Sequence, residues 1–218
     1  MGNEAVKLSE ETFHDRWAAG ENPELFDVVN LNETCTAPEM RAITKALGDL
    51  RGKTLLDIGC GLGEASVYFA IKGAKVTATD ISQGMLDATA RLAELNGVDV
   101  RLHKSDAEDL RLSGQTFDVV YVGNLFHHVD IEETIKKISN LMRKDSILVS
   151  WDPLTYNPLI NLYRMIAKEV RTPDEHPFRR SDIATFKRYF ANVQEQYFWL
   201  TTLVVFVHMF LFQMKNPN

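Results

Sequence analysis

Residues 55–63, LLDIGCGLG, decide the fold of this chain. Two leucines lead into Asp57, and three glycines follow at alternate positions, Gly59, Gly61 and Gly63. A buried strand that breaks into a tight turn at the start of a helix is typical of this pattern. Glycine permits a positive φ at such a turn and lets a ligand approach the backbone closely. The first N–H groups of the next helix can then bind a carboxylate or a phosphate, so we predict a ligand-binding turn.

The spacing of the glycines distinguishes between two kinds of cofactor. A dinucleotide-binding turn is expected to show G-x-G-x-x-G, whereas this stretch is D-x-G-x-G-x-G, with Asp57 on the strand. The Asp57 carboxylate repels a pyrophosphate but attracts the cationic amino group of a methionine moiety. A second acidic residue, Asp80, closes the next predicted strand, KVTATD, where it can accept hydrogen bonds from ribose hydroxyls. An NAD-dependent dehydrogenase stays open as an alternative.

With DIGCGLG and Asp80 in place, the chain resembles the class I S-adenosylmethionine (SAM) dependent methyltransferases, and within them the small-molecule group that includes the quinone-biosynthesis enzymes. The resemblance runs from about residue 13 to about residue 198. It implies a Rossmann-like fold, SAM as methyl donor and S-adenosylhomocysteine (SAH) as product. It also implies that the three glycines line the methionine part of SAM, that Asp80 holds the ribose and that Asp106 holds the adenine amino group. The residues expected at the cofactor are Trp17, Asp57, Gly59, Cys60, Gly61, Gly63, Asp80, Ile81, Met85, Asp106, Ala107 and Asn124.

The composition narrows the classes of partner. The formal net charge is −6 and no run of Lys or Arg occurs, so the chain lacks the clustered cations that bind nucleic-acid phosphates. The two cysteines, Cys35 and Cys60, make no disulfide framework, which favours a reducing cytoplasm. The first residues, MGNEAVKLSEE, have no apolar core and do not form a secretory signal. We expect a cytoplasmic protein that acts on a small molecule, and the oligomeric state is not predicted.

Strands and helices alternate along the chain, which predicts an α/β fold with a doubly wound, mostly parallel sheet and helices on both faces. In this architecture ligands bind at the carboxyl ends of the strands, near the switch in strand order. Asp57, Asp80, Asp106, Asn124 and Asp152 all lie at or near such ends. The predicted strands after the first are residues 75–80, 100–102, 117–122, 146–151 and 193–200, and the predicted helices are 38–50, 65–71, 82–95, 131–142 and 181–189.

We expect one domain, because 218 residues suffice for one sizeable core. Residues 1–34 are predicted to form a short helix and then a loop, since Pro23 interrupts a longer helix. The family sheet would end in an antiparallel hairpin, but no turn signal separates two final strands here, so we consider a sheet that lacks its last strand. The expected parts are an N-terminal helical cap (1–50), a SAM-binding core (51–152), a substrate lid insertion (153–182) and a C-terminal sheet edge with an apolar tail (183–218).

Two segments are candidates for covering the ligands. In similar methyltransferases an N-terminal segment folds over the cofactor, so Phe13, His14 and Trp17 are candidates for a SAM lid, although docking of the helix on the domain explains the same aromatic residues. Residues 152–182 contain four of the seven prolines and are too long for a plain connector, so we assign them to the acceptor. A helical insertion with solvated charges is the alternative. The residues expected at the acceptor are Tyr156, Tyr163, His176 and Arg179.

The C-terminal tail is unusually apolar. Residues 196–214 carry no charge and include LVVFVHMFLF. A transmembrane helix needs about 20 predominantly apolar residues, so the tail lies near that threshold. A strand with a packed helix is the favoured interpretation. The alternative is peripheral association with a membrane that carries a hydrophobic acceptor.

The candidate catalytic residues lie in the stretch NLFHHVD, which follows the fourth strand. Methyl transfer from a sulfonium is an in-line displacement, so alignment does most of the work, and a base is needed only if the acceptor must lose a proton. His127 and His128 lie beside the expected methyl position, and His128 is the first candidate for that base. Support of the loop by His128 is the alternative. Adjacent histidines without a C-x-x-C or H-E-x-x-H pattern do not indicate a metal site.

The predicted function is methyl transfer from SAM to an oxygen or nitrogen atom of a small molecule, with a hydrophobic acceptor as one option. A SAM-binding protein without catalysis is the competing hypothesis. An incomplete sheet is the feature that favours that competitor.

Overall fold

The computed structural model describes residues 2–34, 37–112, 114–153 and 178–198. The strands are β1 Thr54–Ile58, β2 Lys75–Asp80, β3 Val100–Lys104, β4 Phe117–Gly123 and β5 Met142–Trp151. The helices are α1 Gly2–Gly20, α2 Val28–Glu33, α3 Pro38–Leu47, α4 Glu64–Ile71, α5 Gln83–Leu95, α6 Ile131–Asn140 and α7 Ile183–Tyr189, with short 3₁₀ helices at Pro23–Leu25 and Ala107–Asp109. The five strands form one parallel sheet in the order β3-β2-β1-β4-β5.

The sheet is buried on both faces, because successive side chains of its central strands enter two different cores. Leu55 of β1 belongs to a core shared with α3, α4 and α5, whereas Leu56 belongs to a core shared with α6 and α7. In β4, Val119 enters the first core and Val120 the second. Alternation along fully buried strands is what helices on both faces require. The predicted α/β fold class is therefore confirmed.

The order in which the strands are added creates the ligand-binding edge. β2 and β3 lie on one side of β1, while β4 and β5 lie on the other side. The carboxyl ends of β1 and β4 therefore flank the switch in strand order, which is where open α/β sheets bind ligands. Asp57 near the end of β1 pairs with Tyr121 of β4 at this point.

Several helix boundaries follow from local signals in the sequence. Ser82 caps α5, because its hydroxyl accepts the backbone N–H of Met85 at 3.0 Å. Asp130 caps α6 in the same way by accepting the N–H of Glu133 at 3.0 Å. The helix predicted at 65–71 is observed as α4, and the strand predicted at 75–80 is observed as β2.

The N-terminal segment differs from the predicted short helix and loop. α1 spans 19 residues, and a 3₁₀ helix and α2 follow it. Pro23 does not shorten α1, because it lies at the start of the 3₁₀ helix, where its missing N–H is not needed. α1 packs closely on α5 at Gly84, where an added Cβ would lie 3.1 Å from Oδ1 of Asp15.

The sixth strand predicted at 193–200 is wrong for the residues that can be compared. Residues 192–198 form neither strand nor helix, and Val193 packs instead against the core beside α7. β5 starts earlier than predicted, at Met142, with an irregular register opposite Phe117 and Val119. Of the lid insertion predicted at 153–182, residues 154–177 lie outside the described residues, and so do residues 199–218 of the C-terminal part predicted at 183–218. Within the described ranges, every helix is too short or too polar to cross a membrane.

Two glycines of the turn after β1 should differ in how much stability is lost when they are replaced by alanine. A Cβ on Gly63 would lie 2.6 Å from Thr89 of α5, and the φ of Gly63 is +89°. Gly61 has a φ of +55° but nothing within 4 Å of an added Cβ. We expect Gly63→Ala to lower the free energy of unfolding by about 2 to 5 kcal/mol, since overpacking and a left-handed φ both oppose it. Gly61→Ala should lose only about 1 to 2 kcal/mol. Urea unfolding followed by circular dichroism measures both, and equal losses would contradict the packing argument.

Candidate functional site

The carboxyl edge of the sheet collects one polar residue from each strand. Asp57 lies on β1, Asp80 ends β2, and Asp106, Asn124 and Asp152 follow β3, β4 and β5. Because all five strands are parallel, these residues lie along the same edge of the sheet. The structure therefore brings together the strand-end residues that the sequence analysis singled out.

Asp57 is a buried carboxyl group with one unused oxygen. The residue is 1% exposed, and its Oδ2 accepts the hydroxyl of Ser66 at 2.6 Å. Its Oδ1 is also buried and has no hydrogen-bond partner among the described residues. Burial raises the pKa of Asp57 to about 7, the Ser66 hydroxyl opposes the rise, and the nearby Asp80 adds to it. A buried oxygen without a donor costs stability, so this atom is a candidate acceptor for a ligand donor.

Asp80 ties two turns together through backbone hydrogen bonds. Its Oδ2 accepts the N–H of Gly61 at 3.0 Å, and its Oδ1 accepts the N–H of Ser82 at 2.9 Å. Burial raises the pKa of Asp80, while these donors and the nearby His14 oppose the rise. A carboxylate oxygen has two lone pairs, so both atoms can accept a further hydrogen bond from a ligand.

The three glycines of the turn differ in the space that an added side chain would find. A Cβ on Gly63 would collide with Thr89, and a Cβ on Gly59 would lie 3.0 Å from Leu125. These two glycines therefore allow close packing against neighbouring elements. Gly61 alone of the three faces open space, as its added Cβ would meet nothing within 4 Å. Of the three, Gly61 is the one whose missing side chain leaves room for a ligand.

The other predicted cofactor residues of the turn and helix starts are mostly buried. The Cys60 thiol lies 3.6 Å from the hydroxyl of Thr89, and burial raises the pKa of Cys60, so the thiol stays protonated. It fills the turn rather than acting as a nucleophile. Met85 and Ala107 are buried, and Ile81 is half-buried.

Asp106 makes a contact with α1 that the sequence analysis missed. Its Oδ1 accepts the N–H of Glu108 at 2.8 Å, and its Oδ2 bonds to Nζ of Lys7 at 2.5 Å. Lys7 also pairs with Glu108 at 2.7 Å. Burial opposes the charge of Lys7, but the hydrogen bonds to both carboxylates outweigh it and raise the pKa of Lys7. The N-terminal half of α1 is therefore fixed to the end of β3.

A second attachment of α1 lies at the start of α5. Oδ1 of Asp15 accepts the hydroxyl of Ser82 at 2.5 Å and the N–H of Gly84 at 2.9 Å. These hydrogen bonds lower the pKa of Asp15, so it stays ionised. α1 consequently lies across the carboxyl ends of β2 and β3.

The predicted lid aromatics form a stack along α1. His14 lies between Phe13 and Trp17, with ring centroids at 5.4 and 6.0 Å. The indole N–H of Trp17 donates to Glu21 at 2.9 Å, and Trp17 is 48% exposed. Trp17 therefore contacts its own N-terminal segment, at His14 and Glu21. His14 is the member of the stack that reaches toward the site, where it acts on the charge of Asp80.

His127 and His128 are adjacent but have different partners. Nδ1 of His127 lies 2.8 Å from Oδ1 of Asp152, and both side chains are almost fully buried. Burial raises the pKa of Asp152 against the effect of His127, and its Oδ2 has no partner among the described residues. Nδ1 of His128 instead lies 3.3 Å from Oε1 of Glu10 on α1. The two imidazole rings are 4.0 Å apart.

Asn124 follows the last residue of β4 and turns the chain away from the strand direction. Its φ of 56° is left-handed, a conformation that Asn adopts more readily than most residues. Its backbone N–H donates to the carbonyl of Trp151 at 2.8 Å, and its side chain is exposed. This turn directs the histidine pair back toward the sheet edge.

Sequence reasoning missed Lys7, Glu10 and Asp15 of α1 as site residues. The signal that could have found two of them is their spacing, because Lys7, Glu10 and His14 recur at three- and four-residue steps and so share a helix face. The search for apolar periodicity passed over this charged face. Ser66, which bonds Asp57, gave no signal in the sequence.

Most of the predicted acceptor residues cannot be located. Tyr156, Tyr163 and His176 lie outside the described residues. Arg179 is exposed, and its backbone N–H donates to Asp182 at 2.7 Å just before α7. Within the described part of the chain, no three His, Cys, Asp or Glu residues are grouped so that they could hold a metal ion.

Comparison with known proteins finds a matching domain family and similar curated proteins. A family model described as a methyltransferase domain matches residues 55–145. A ubiquinone biosynthesis O-methyltransferase of Pseudomonas syringae pv. tomato is 33% identical over 123 residues, which are 56% of this chain and 53% of that protein. The corresponding enzyme of Haemophilus ducreyi is 36% identical over 111 residues, which are 48% of this chain and 47% of that protein. The chain thus spans about half the length of the curated relatives it matches.

Solved structures share the fold at lower identity. The YcgJ protein of Bacillus subtilis gives a TM-score of 0.59 at 20% identity and covers 68% of this chain and 66% of its own. Magnesium protoporphyrin IX methyltransferase of Synechocystis, solved with bound SAH, gives 0.57 at 20% identity and covers 74% of each chain. Residues 55–145 thus match a methyltransferase domain, and the parallel sheet in the order β3-β2-β1-β4-β5 belongs to a fold that these solved structures share.

Proposed function

We propose that the protein transfers a methyl group from SAM to a hydroxyl oxygen of a small organic molecule. The observation that carries the proposal is the buried Oδ1 of Asp57, which has no hydrogen-bond partner among the described residues, on the strand that leads into the turn with the open position at Gly61. A cationic amino group satisfies such an oxygen, whereas a pyrophosphate would be repelled by it. The curated relatives named above are O-methyltransferases, which favours oxygen over nitrogen as the acceptor atom.

The residues of the site fit the parts of SAM. Asp57 would accept the amino group of its methionine moiety, Asp80 the ribose hydroxyls and Asp106 the adenine amino group. These three groups of SAM are hydrogen-bond donors. Ionised carboxylates accept such bonds more strongly than neutral groups do. SAM supplies a methyl group that is activated by a positively charged sulfur and leaves SAH as a neutral thioether. Neither a dehydrogenase nor a binding protein without catalysis is supported by any of the family matches.

Alignment is the main contribution that this chain can make to catalysis. Holding two reacting groups in line supplies on the order of 7 to 11 kcal/mol of the barrier. α1, fixed at Lys7 and Asp15, covers the strand ends and helps to exclude water from them. The buried pair of His127 and Asp152 holds the turn after β4 in place beside the strand ends.

His128 is the residue that we assign to proton removal. In the proposed step its Nε2 takes the proton of the acceptor hydroxyl, the oxygen lone pair forms the bond to the methyl carbon, and the broken carbon–sulfur pair stays on sulfur. A histidine has an ordinary pKa of about 6.5 and a phenol one of about 10. The two pKa values are therefore close enough for a histidine to take the proton of a phenol during the reaction. An aliphatic alcohol is far less acidic. We therefore propose a phenolic hydroxyl as the acceptor group.

The proposal also includes the cellular compartment and the class of partner. The cysteine content favours a reducing cytoplasm, and the negative net charge argues against nucleic acid as a partner. The apolar tail, which prompted the alternative of peripheral membrane association, lies outside the described residues. We propose a small-molecule acceptor in the cytoplasm.

Asp57→Asn separates the functional role of this carboxyl group from its effect on stability. Because burial raises its pKa from 3.8 to about 7, folded Asp57 keeps its proton while the unfolded chain releases it. Stability contributed by the protonated form is present below pH 4, is lost as the pH rises to about 7 and stays lost above that. Asn carries no charge, so the variant should be more stable than the wild type at pH 8, by at most about 4 kcal/mol, with no gain at pH 4. Thermal unfolding without ligand measures this difference.

The same variant should bind SAH more weakly by about 10- to 100-fold in titration calorimetry, because a charge-assisted hydrogen bond is lost. Asp118→Asn is the matched control. The pKa of Asp118 is lowered by the N–H and hydroxyl of Thr54 and by Arg143, so its replacement should reduce stability at pH 8 and leave SAH affinity unchanged. A variant at Asp57 that binds SAH as tightly as the wild type would remove Asp57 from the cofactor site.

His128→Gln tests proton removal in a panel of phenols of graded acidity, with labelled SAM as donor. We expect kcat to fall by about 10²- to 10⁴-fold while SAH affinity changes less than about twofold, because a positioned base acts in the reaction and not in cofactor binding. The loss should shrink as the phenol becomes more acidic. His103→Gln, at an exposed histidine of β3, is the control. Full activity of His128→Gln with every phenol would leave alignment alone as the mechanism.

A further inference from the structure

Glu10 of α1 faces His128 across the site. Its Oε1 lies 3.3 Å from Nδ1 of His128, and the side chains are only 14% and 16% exposed. Nδ1 of His128 is buried and makes no aligned hydrogen bond among the described residues. A buried ring nitrogen without a partner costs stability, and the Glu10 carboxylate is an acceptor within reach of it. The contact joins the N-terminal helix to the turn after β4, over a sequence distance that no local motif covers.

We propose that Glu10 is a positioning residue for His128, which it holds in the tautomer with hydrogen on Nδ1. The inference rests on the proposed function, because it concerns the proton that His128 removes. An ionised carboxylate can only accept a hydrogen bond, so a neutral imidazole that faces it must donate from Nδ1. The lone pair of Nε2 is then free to accept the proton of the acceptor hydroxyl. The carboxylate also stabilises the imidazolium that this step forms.

The two histidines differ in where their carboxylate comes from. Asp152, which holds His127, follows a strand of the sheet and is 4% exposed. Glu10, which holds His128, comes from a surface helix. The groups that face His128 are thus Glu10 and, on its own turn, His127, with His14 lying 3.7 Å from the far side of Glu10. His127 is fixed whenever the sheet is folded, whereas His128 is fixed only when α1 is docked.

The contacts that hold α1 on the sheet edge therefore also hold the base in place. Lys7 and Asp15 attach the helix on either side of Glu10, at the ends of β3 and β2. The same contacts that cover the predicted cofactor residues Asp80 and Asp106 place Glu10 against His128. The proton acceptor is therefore oriented at the moment when water is excluded from the strand ends.

Glu10→Gln tests the inference with nearly unchanged shape. A Gln side chain can accept from Nδ1 or donate to it, so it permits both tautomers of His128, whereas Glu permits one. Glu11→Gln is the matched control on the same helix: Glu11 pairs with Lys104 on the exposed rim, at 2.5 Å, and does not face His128. Such rim pairs contribute little to stability.

The first readout is the tautomer of His128 in the full chain with SAH, from long-range ¹H–¹⁵N correlation spectra of the histidine rings at pH 9. The chain has six histidines, and the signals of His128 are those missing in His128→Gln. We expect hydrogen on Nδ1 in the wild type and in Glu11→Gln, and a mixture of tautomers in Glu10→Gln. The same tautomer in all three proteins would overturn the inference whether or not the protein is active.

The second readout is methyl transfer from labelled SAM to the best phenol of the panel. Glu10→Gln should lower kcat by about 10-fold or more while KM for SAM changes less than about twofold, because orientation of the base is part of what general-base catalysis supplies. Glu11→Gln should retain kcat within about twofold. Equal kcat in both variants would overturn the inference. Absence of transfer by the wild type would count against the proposed function alone, since the tautomer still decides the role of Glu10.

Discussion

The site depends on the carboxylate of Asp80, which accepts backbone N–H groups from two different turns. Gly61 donates from the turn after β1 and Ser82 donates from the start of α5. Ser82 in turn caps α5 and donates its hydroxyl to Asp15 of α1. One buried carboxylate therefore sets the position of the glycine turn, the start of α5 and, through Ser82, the covering helix. Its removal would leave the N–H groups of Gly61 and Ser82 without this acceptor.

Two buried carboxyl groups at neighbouring strand ends are unfavourable for folding by themselves. Burial raises the pKa values of both Asp57 and Asp80, and the charge of Asp80 further opposes the ionisation of Asp57. Backbone donors largely satisfy Asp80, but Oδ1 of Asp57 has no partner among the described residues. A site that keeps such a group is better explained by ligand binding than by stability, because functional sites are where buried polar groups remain unpaired. The fold supplies the two strand ends, and the ligand supplies the missing donor.

The sequence predicted those features that are encoded within a few neighbouring residues, and it missed those that depend on contacts between distant residues. The glycine turn, the Ser82 cap and the strand that ends at Asp80 could each be recognised within a few residues. From these and the alternation of strands and helices, the parallel sheet followed. α1 was predicted too short, because its contacts with the site are made by charged side chains rather than by an apolar face. The strand predicted at 193–200 failed because an apolar residue such as Val193 can pack against a core without strand pairing. The pairing of His128 with Glu10 joins residues that are far apart in the sequence, and only the folded chain shows it.

The central claim is that the acidic edge of this sheet is built for SAM and not for a dinucleotide. Titration calorimetry of the full chain with SAH and, separately, with NAD tests it most directly. SAH should bind with a one-to-one stoichiometry and a Kd of about 1 to 10 μM or tighter, which corresponds to about −7 to −8 kcal/mol, and NAD should give no measurable heat. Binding of NAD without binding of SAH would contradict the account.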